Sequence, residues 1–466
     1  MTHIALHIFK KASFALPLLL LLVCLMLLAP VSASAEASAL DIVRITIAPD
    51  DLWDPVTGLF TEGEAIDKSV FPFKNAVYRA QSDSVRKATL AYFPAGSDTA
   101  ALSEDVRLTL VPGYYSLDLP QKSLHISAAD GSFDYPLFDT RPFEAYHAIE
   151  LSNGNGDGVF TRIATGVQTT LLEGVPGLDM ILPAWKPVVV YINGEYWGHY
   201  NMRETTDAQT ICRYEGIDPA QADEIQIASA TESHPSTGLN SYRHLLNKLE
   251  ESSPNIIVED KAYLRANIDV DNFLSWFASA MYMGDGNLGG VVFYYTPLGD
   301  WRCIANPSSY GLFKAEFNAA ASYTLERGMT VALYDNTAFR KILEVDEYRD
   351  LFLTKLGALY QALPTETMQA ALDDCATMIE AEMPAHFDRW AAQHVPAINH
   401  ELPNEPAAAL EYWRGRIARM RDGTMTMRPY YVYIQTQEAF NLTDEEMLRY
   451  FGGPCPEVPE LLRTAE

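Results

Sequence analysis

Two adjacent charged residues, Arg203 and Glu204, end a stretch at residues 187–204 whose sequence predicts one specific local structure. Residues 188–192 are β-branched or aromatic, which is typical of a buried strand. Asn193-Gly194 follows, and this pair best tolerates the positive φ angles of a type I′ turn. The residues after the turn, including Trp197, predict a returning strand that is anchored in a core. The hairpin therefore delivers the Glu204 carboxylate to a defined place, where it serves either chemistry or the fold alone.

A second polar cluster, residues 153–158, has oxygen ligands at several positions of a calcium-binding loop. Asn153, Asn155 and Asp157 fit the first, third and fifth positions of an EF-hand. The twelfth position, which requires a bidentate glutamate, is Ala164. Because that glutamate supplies most of the affinity, the cluster predicts a structural turn. The acidic run at residues 269–272 predicts a helix N-cap rather than a metal site.

The hairpin closely resembles the signature of the CotH (spore-coat protein H) kinase-like family, a run written vvyiNGeYwG-y-n-RE. Two further segments resemble family motifs: residues 51–58 are similar to lyDpvtGi, and residues 120–126 are similar to pqKSlri. The similarity extends from about residue 50 to about residue 450. The resemblance implies an atypical protein-kinase fold of the secreted type.

Three residues receive roles from this resemblance. Lys122 is expected to contact the phosphates of ATP, as the strand lysine of kinases does, and Glu204 is expected to be its carboxylate partner. Asp285 stands where the family has its catalytic base. For Lys122 the alternative of a solvated lysine at the start of a strand remains open.

The positions that would hold a divalent metal lack carboxylates. Aligned from Trp301, the two metal-binding aspartates of the family fall on Pro307 and Ser309, and the kinase asparagine falls on Gly290. Mg²⁺ prefers anionic oxygen ligands, whereas proline offers only a carbonyl and serine a neutral hydroxyl. Asn306 adds one amide oxygen and no charge. Binding of Mg²⁺ or Mn²⁺ is therefore not expected, and the predicted kinase activity is impaired or lost.

Periodicity along the chain, taken with the resemblance, predicts an α+β protein with an atypical protein-kinase-like fold. We expect a signal peptide at residues 1–35, a β-rich region at 36–130, a kinase-like core with the hairpin at 131–335, and a helical region at 336–466. Alternation between Gly and Pro turns predicts strands such as residues 86–93. Helical periodicity predicts helices at residues 269–283, 337–363, 365–382 and 407–421.

The chain is strongly acidic. Its formal charge is −27, and removing residues 1–35 takes away two lysines and no acidic residue, which gives −29. Such a surface speaks against nucleic acid and anionic lipid as partners. Four cysteines remain without the CxxC spacing of zinc sites, and both disulfides and buried thiols stay open for them: Cys212, Cys303, Cys375 and Cys455.

Three functions are compatible with these observations. The first is a secreted, degenerate (pseudo)kinase that acts as a binding or structural module of the surface or envelope, with an extracellular or envelope protein as its partner. The second is an active atypical Ser/Thr kinase that phosphorylates exported proteins. The third is an extracellular glycan-associated protein that binds through aromatic residues of its β-rich region: Trp53, Tyr92, Tyr114 and Tyr115. Fold alone does not decide among them.

The N-terminus predicts export. Lys10 and Lys11 form a basic front, residues 14–29 are almost wholly apolar, and residues 31–35 offer small side chains to a signal peptidase. The apolar run is shorter than the roughly 20 residues that a membrane span needs. We therefore expect a secreted or cell-envelope protein that keeps no membrane span after cleavage.

We predict that the mature chain begins near Ser34 or Glu36, because the small residues before this point fit signal peptidase. N-terminal sequencing of the exported protein is the test. Exported material that still begins at Met1 would contradict cleavage and would favour an uncleaved anchor.

Overall fold

Seven strands form a closed barrel in the computed structural model, which describes residues 39–113, 115–229, 237–251, 258–285, 291–324 and 336–460. The predicted signal peptide, Tyr114 and Gly290 lie outside these residues. The barrel strands are β1 (Asp41–Ile47), β2 (Arg86–Phe93), β3 (Leu102–Leu110), β4 (Leu124–Ala128), β5 (Ala148–Ser152), β6 (Trp185–Ile192) and β7 (Glu195–Glu204). Their order is β1-β2-β3-β4-β5-β7-β6. The parallel pairing of β1 with β6 closes the barrel.

The strands form because apolar residues alternate along them and meet inside the barrel. In β1, Val43, Ile45 and Ile47 are buried, whereas Arg44 and Thr46 between them are exposed. Side chains of the same kind come from each of the other strands. The core of the barrel includes Leu90, Val106, Leu108, Leu124, Ile126, Leu151, Val188, Val190 and Met202.

The hairpin forms as the sequence predicts. β6 and β7 pair antiparallel, and Asn193 and Gly194 adopt φ angles of 52° and 83°, as a type I′ turn requires. The Trp197 side chain is only 3 % exposed and stacks on Phe60 with 5.7 Å between the ring centroids. Trp390, from the C-terminal helices, meets it edge-on at 5.3 Å. The hairpin is thus a point at which the barrel and the helical region are packed together.

A small second sheet and a set of helices follow the barrel. The sheet has the order β10-β9-β8, from β8 (Gln226–Ser229), β9 (Val292–Tyr295) and β10 (Trp301–Ile304). The helices before residue 336 are α1 (Pro49–Trp53), α2 (Val77–Ala80), α3 (Ala164–Glu173), α4 (Ala208–Glu215), α5 (Leu239–Glu251), α6 (Val258–Asn267), α7 (Val270–Met283) and α8 (Ala319–Thr324). The helix α7 is almost wholly buried and packs against β10. As predicted, Asp269 caps α7, since its carboxylate accepts a hydrogen bond from the amide of Asn272 at 3.1 Å.

The C-terminal third is helical, as expected. It contains α9 (Thr337–Leu343), α10 (Asp346–Ala362), α11 (Thr365–Glu380), α12 (Met383–Trp390), α13 (Pro406–Ala418), α14 (Thr426–Phe440) and α15 (Asp444–Phe451). A π-helical turn, Arg419–Met425, joins α13 to α14. The single helix predicted at residues 337–363 is two helices, because the chain leaves the helical conformation at Val345.

The architecture is therefore α+β with an N-terminal β region. The barrel takes strands from both sides of residue 130, where a boundary is predicted from the sequence; the boundaries themselves remain predictions. All four cysteines after residue 35 are free thiols, and only Cys455 of these is exposed. Among the described helices, none is both long and apolar enough to span a bilayer.

The packing of Trp197 gives a stability prediction. We expect Trp197→Ala to lower the free energy of unfolding by about 3–5 kcal/mol, because it empties a site filled by a large buried ring. The matched control is Trp53→Ala, since the Trp53 ring touches the same cluster but is 52 % exposed, and its loss should be about 1 kcal/mol or less. Urea unfolding of both variants measures the difference. Equal losses would show that the hairpin ring does not anchor the fold.

Candidate functional site

Lys122 lies inside one end of the barrel rather than on its surface. Its side chain is buried, its ammonium group donates a hydrogen bond to the Leu117 carbonyl, and the nitrogen stands 3.8 Å from the centre of the Tyr78 ring. Burial lowers the pKa of Lys122 to about 7. The alternative of a solvated lysine is therefore wrong, because the group is enclosed by protein.

Asp118 closes the same end of the barrel. Its carboxylate accepts hydrogen bonds from the Phe73 amide at 2.8 Å, the Tyr78 hydroxyl at 2.7 Å and the Arg79 guanidinium at 2.7 Å. Its charge also favours the protonated form of Lys122, against the effect of burial. The lysine therefore sits in an enclosed polar cluster of the barrel end.

Glu204 is held by a different set of partners. Its carboxylate accepts hydrogen bonds from Arg213 at 2.7 Å, from the Tyr214 hydroxyl at 2.6 Å and from the Ala184 amide at 2.8 Å. The Arg141 guanidinium lies 3.6 Å away. Glu204 is only 2 % exposed, and its carboxylate has two cationic neighbours, Arg141 and Arg213. Because Arg213 and Tyr214 belong to α4, their hydrogen bonds to Glu204 connect the end of β7 to that helix.

The structure does not bring Lys122 and Glu204 together. Leu124 pairs with Leu151, which pairs with Met202, so Lys122 lies level with Tyr200. The Tyr200 hydroxyl donates a hydrogen bond to the Lys122 carbonyl at 2.8 Å, which confirms this level. Glu204 is four residues beyond Tyr200 on β7. At the rise of a strand, this places it about 13 Å further along the barrel than the level of Lys122. The expected lysine–carboxylate pair is therefore absent here, because each group is neutralised at its own end of the barrel.

Asp285 follows directly after α7, which ends at Gly284 in the left-handed conformation (φ 66°). The Ser308 hydroxyl donates a hydrogen bond to one carboxylate oxygen of Asp285 at 2.8 Å, and the Ser308 amide approaches the other at 3.3 Å. The side chain of Asp285 is 6 % exposed. The predicted base therefore does meet the loop that carries the expected metal positions, but it meets that loop through a serine.

That loop, residues 305–311, is held from several sides. The Gln168 amide donates to the carbonyl of Ser308 at 2.9 Å, and the Tyr310 hydroxyl bonds that of Tyr115 at 3.0 Å. Gly156 packs so closely that a β-carbon there would lie 2.9 Å from the Ser309 hydroxyl. Pro307 lines a cleft with Asp285, and no carboxylate is provided by position 307 or 309. Within the described ranges no group of three or more His, Cys, Asp or Glu side chains could hold a metal ion.

The polar cluster at residues 153–158 forms a short turn whose side chains bond neighbouring segments of the protein. Asn153 donates to the carbonyls of Ser116 and Gln121 at 3.1 and 2.7 Å. Asp157 accepts from the amide of Thr161 at 3.0 Å and from its hydroxyl at 2.7 Å. These bonds agree with the prediction of a structural turn.

Arg203 contacts the loop at residues 305–311, a contact that was not predicted from the sequence. Tyr200, Met202 and Glu204 face the barrel interior, so Arg203 faces outward. There its guanidinium lies 3.4 Å from the side-chain oxygen of Asn306, in the loop beside Asp285. Burial lowers the pKa of Arg203. The alternation of β7 would have revealed this side chain, because the residue before an inward-facing carboxylate must point outward.

The aromatic residues proposed for a glycan-binding surface differ in how far they are exposed to solvent. Tyr92 is buried at 2 % exposure and is excluded as a contact residue. Tyr115 stacks on Phe71 with 5.5 Å between the ring centroids, and Tyr114 lies outside the described residues. Trp53 alone of the four is more than half exposed within the structure as described.

Lys122 gives a prediction for the pH dependence of stability. Its pKa is about 7 in the folded protein, against a usual value of 10.5 in an unfolded chain. Between these values the unfolded state binds the extra proton, so the contribution of Lys122 to the free energy of unfolding rises with pH. Lys122→Met should therefore flatten the increase between about pH 7 and pH 9. Urea unfolding over this range is the measurement, with the exposed Lys87→Met as the control that keeps the wild-type slope. An unchanged slope in Lys122→Met would contradict a lowered pKa.

The resemblance seen in the sequence is supported by comparison with known proteins. The profile of the CotH kinase protein family matches residues 111–420, which cover more than half of the chain. This range includes Lys122, the hairpin, Asp285 and the loop at residues 305–311. A comparison with curated proteins finds none that matches. The chain belongs to the CotH kinase protein family.

Proposed function

We propose that this chain is an exported, degenerate kinase-like protein that serves as a binding or structural module of the cell surface or envelope. The observation that carries the proposal is the contact between Asp285 and Ser308. In an active kinase, the base and the metal ligands must act on one phosphoryl group. Here the loop meets the base with a serine hydroxyl instead.

The chemistry of the site supports lost phosphoryl transfer. The Ser308 hydroxyl donates to one carboxylate oxygen of Asp285, and a hydrogen bond to the charged form makes a carboxylate a weaker base for the proton of an acceptor hydroxyl. A metal on the γ-phosphate needs anionic ligands, which Pro307 and Ser309 do not supply. The residues at this loop therefore do not fit a kinase metal site.

The same residues support weak rather than absent nucleotide binding. Lys122 is enclosed beside Asp118, so it would have to leave the Leu117 carbonyl before it met a phosphate. Arg203 contacts Asn306, beside the expected metal positions, through one long hydrogen bond of 3.4 Å, so less would have to be broken before it met a phosphate. Guanidinium groups bind phosphate through two parallel hydrogen bonds without needing a metal. In the proposed atypical protein-kinase-like fold, the barrel would be the counterpart of the kinase N-terminal lobe.

We expect wild-type protein to bind ATP weakly, with little gain from added Mg²⁺ or Mn²⁺, and to show no autophosphorylation above an Asp285→Ala control. The reason is that the metal positions carry no negative charge. Pro307→Asp combined with Ser309→Asp should create metal-dependent ATP binding, because it supplies two carboxylates. Calorimetry with and without metal measures both effects.

The matched control is Pro307→Asn combined with Ser309→Asn, which makes the same change in size without the charge. A gain in the aspartate variant alone assigns the effect to the carboxylates. A strong Mg²⁺-dependent signal or autophosphorylation in wild-type protein would overturn the proposal. It would restore the active Ser/Thr kinase as the function.

A further inference from the structure

A narrow pocket is lined by Ser309 of the loop at residues 305–311, and Asp285 is not among its lining residues. Its walls are the turn that carries Asp157 and Thr161, the loop residue Ser309, and the junction between α13 and α14. The enclosed part of the pocket, 10 Å³, admits about one water-sized group, such as a single oxygen of a ligand, and the rest of that ligand would lie at the open mouth. The remaining lining residues are Phe160, Leu312, Phe313, Arg416, Arg419, Met420 and Thr424.

Two arginines give this pocket a positive charge. Arg416 is stacked over Phe160 at 4.8 Å and lies 5.6 Å from the centre of the Phe313 ring, so its guanidinium is held in place. Its Nε is buried and has no hydrogen-bond partner in the part of the chain that is described. Arg419 is exposed and also lines the pocket. Neither arginine makes an ion pair with a described residue.

The neighbouring arginines behave differently. Arg414, two positions before Arg416, pairs with Glu380 at 2.6 Å and with Glu411 at 2.6 Å. Arg421, two positions after Arg419, pairs with Asp373 at 2.9 Å and with Asp422 at 2.7 Å. The arginines next to the pocket residues on α13 and on the π-helical turn thus have carboxylate partners, whereas Arg416 and Arg419, which line the pocket, have none among the described residues.

The one carboxylate in the pocket wall is already engaged. Asp157 accepts hydrogen bonds from the amide and hydroxyl of Thr161 and from the Ala164 amide at 2.9 Å. Burial raises the pKa of Asp157, against the effect of these hydrogen bonds. Asp157 therefore opposes an anion in the pocket less than a free carboxylate would.

The backbone at this point is also unusual. The π-helical turn Arg419–Met425 places one more residue in each turn than an α-helix does, and such turns are frequent at functional sites. It brings Arg419, Met420 and Thr424 to one wall, with Arg416 one turn before them. The hydroxyl groups of Thr424 and Ser309 add hydrogen-bond donors to those of the two guanidinium groups.

We propose that this pocket binds a single phosphoryl group, either free phosphate or the phosphate of a larger molecule whose remainder lies outside. Arg416 and Arg419 supply the positive charge, and Ser309 and Thr424 supply hydroxyl donors. Arginine suits this task because its planar fork matches the oxygens of phosphate. The chain as a whole carries a charge of −27, so phosphate does not gather on it without local cations. The site does not depend on whether the chain retains kinase activity.

Calorimetric titration of the full chain with inorganic phosphate tests the site. Wild-type protein should bind, and Arg419→Gln should weaken binding by about tenfold or more, because a charge-assisted hydrogen bond is lost. Arg419 is exposed, so its replacement leaves the fold intact, which urea unfolding verifies. Arg416→Lys keeps the charge but removes the fork and should also weaken binding. The control Arg414→Gln removes the same charge from the same helix and should bind like wild type.

A second titration with ATP in the absence of metal identifies the source of the phosphoryl group. If Arg419→Gln weakens ATP binding as much as phosphate binding, the group belongs to a nucleotide. If it weakens phosphate binding alone, the group is free phosphate or belongs to another molecule. Absence of phosphate binding by wild-type protein, or equal losses in Arg419→Gln and Arg414→Gln, would overturn the proposal.

Discussion

The buried guanidinium of Arg428 holds together the elements that form the candidate site. It is 1 % exposed and donates hydrogen bonds to the carbonyls of Met281 at 2.5 Å and Tyr282 at 2.8 Å, at the C-terminus of α7. It also donates to the carbonyls of Ala315 at 2.8 Å and Phe317 at 2.9 Å, which follow the loop at residues 305–311. A cation at the C-terminus of a helix also interacts favourably with the negative pole of the helix dipole. One side chain of α14 thus sets the distance between Asp285 and the loop that it contacts.

Buried ion pairs close the two ends of the barrel. At one end Asp118 binds Arg79, and at the other Glu204 binds Arg213, with each carboxylate fully buried. Breaking either pair would leave an uncompensated charge in a medium of low dielectric constant. These residues are therefore committed to stability, whatever the family signature suggests for Glu204. Strand alternation turns Arg203 beside it to the other face, where it contacts Asn306.

Local patterns made much of the fold predictable. The Asn193-Gly194 turn, the strand Arg86–Phe93 and the Asp269 cap depend on neighbours a few residues away, so the sequence contains their whole cause. The family motifs placed Asp285 and the loop after β10 in one candidate site, and the structure brings the two into contact through Ser308. The partners of Glu204 and the enclosure of Lys122 could not be predicted from the sequence. Arg141, which lies near Glu204, and Tyr78, which covers Lys122, come from distant segments that carry no periodic signal. The π-helical turn was hidden for a related reason: residues 419–421 continue the α-helical pattern of the sequence.

The closure of the barrel has a consequence for the order of events during biosynthesis. β1 can pair with β2 early, but its other edge must wait for β6, since Asp41 pairs with Val188. At a translation rate of about 5–20 residues per second, that edge stays open for roughly 7–30 seconds. An open strand edge is a template for association with other chains. The charged side chains of Asp41 and Arg44 in β1 are then a protection needed by the nascent chain, long before the finished barrel leaves no edge to protect.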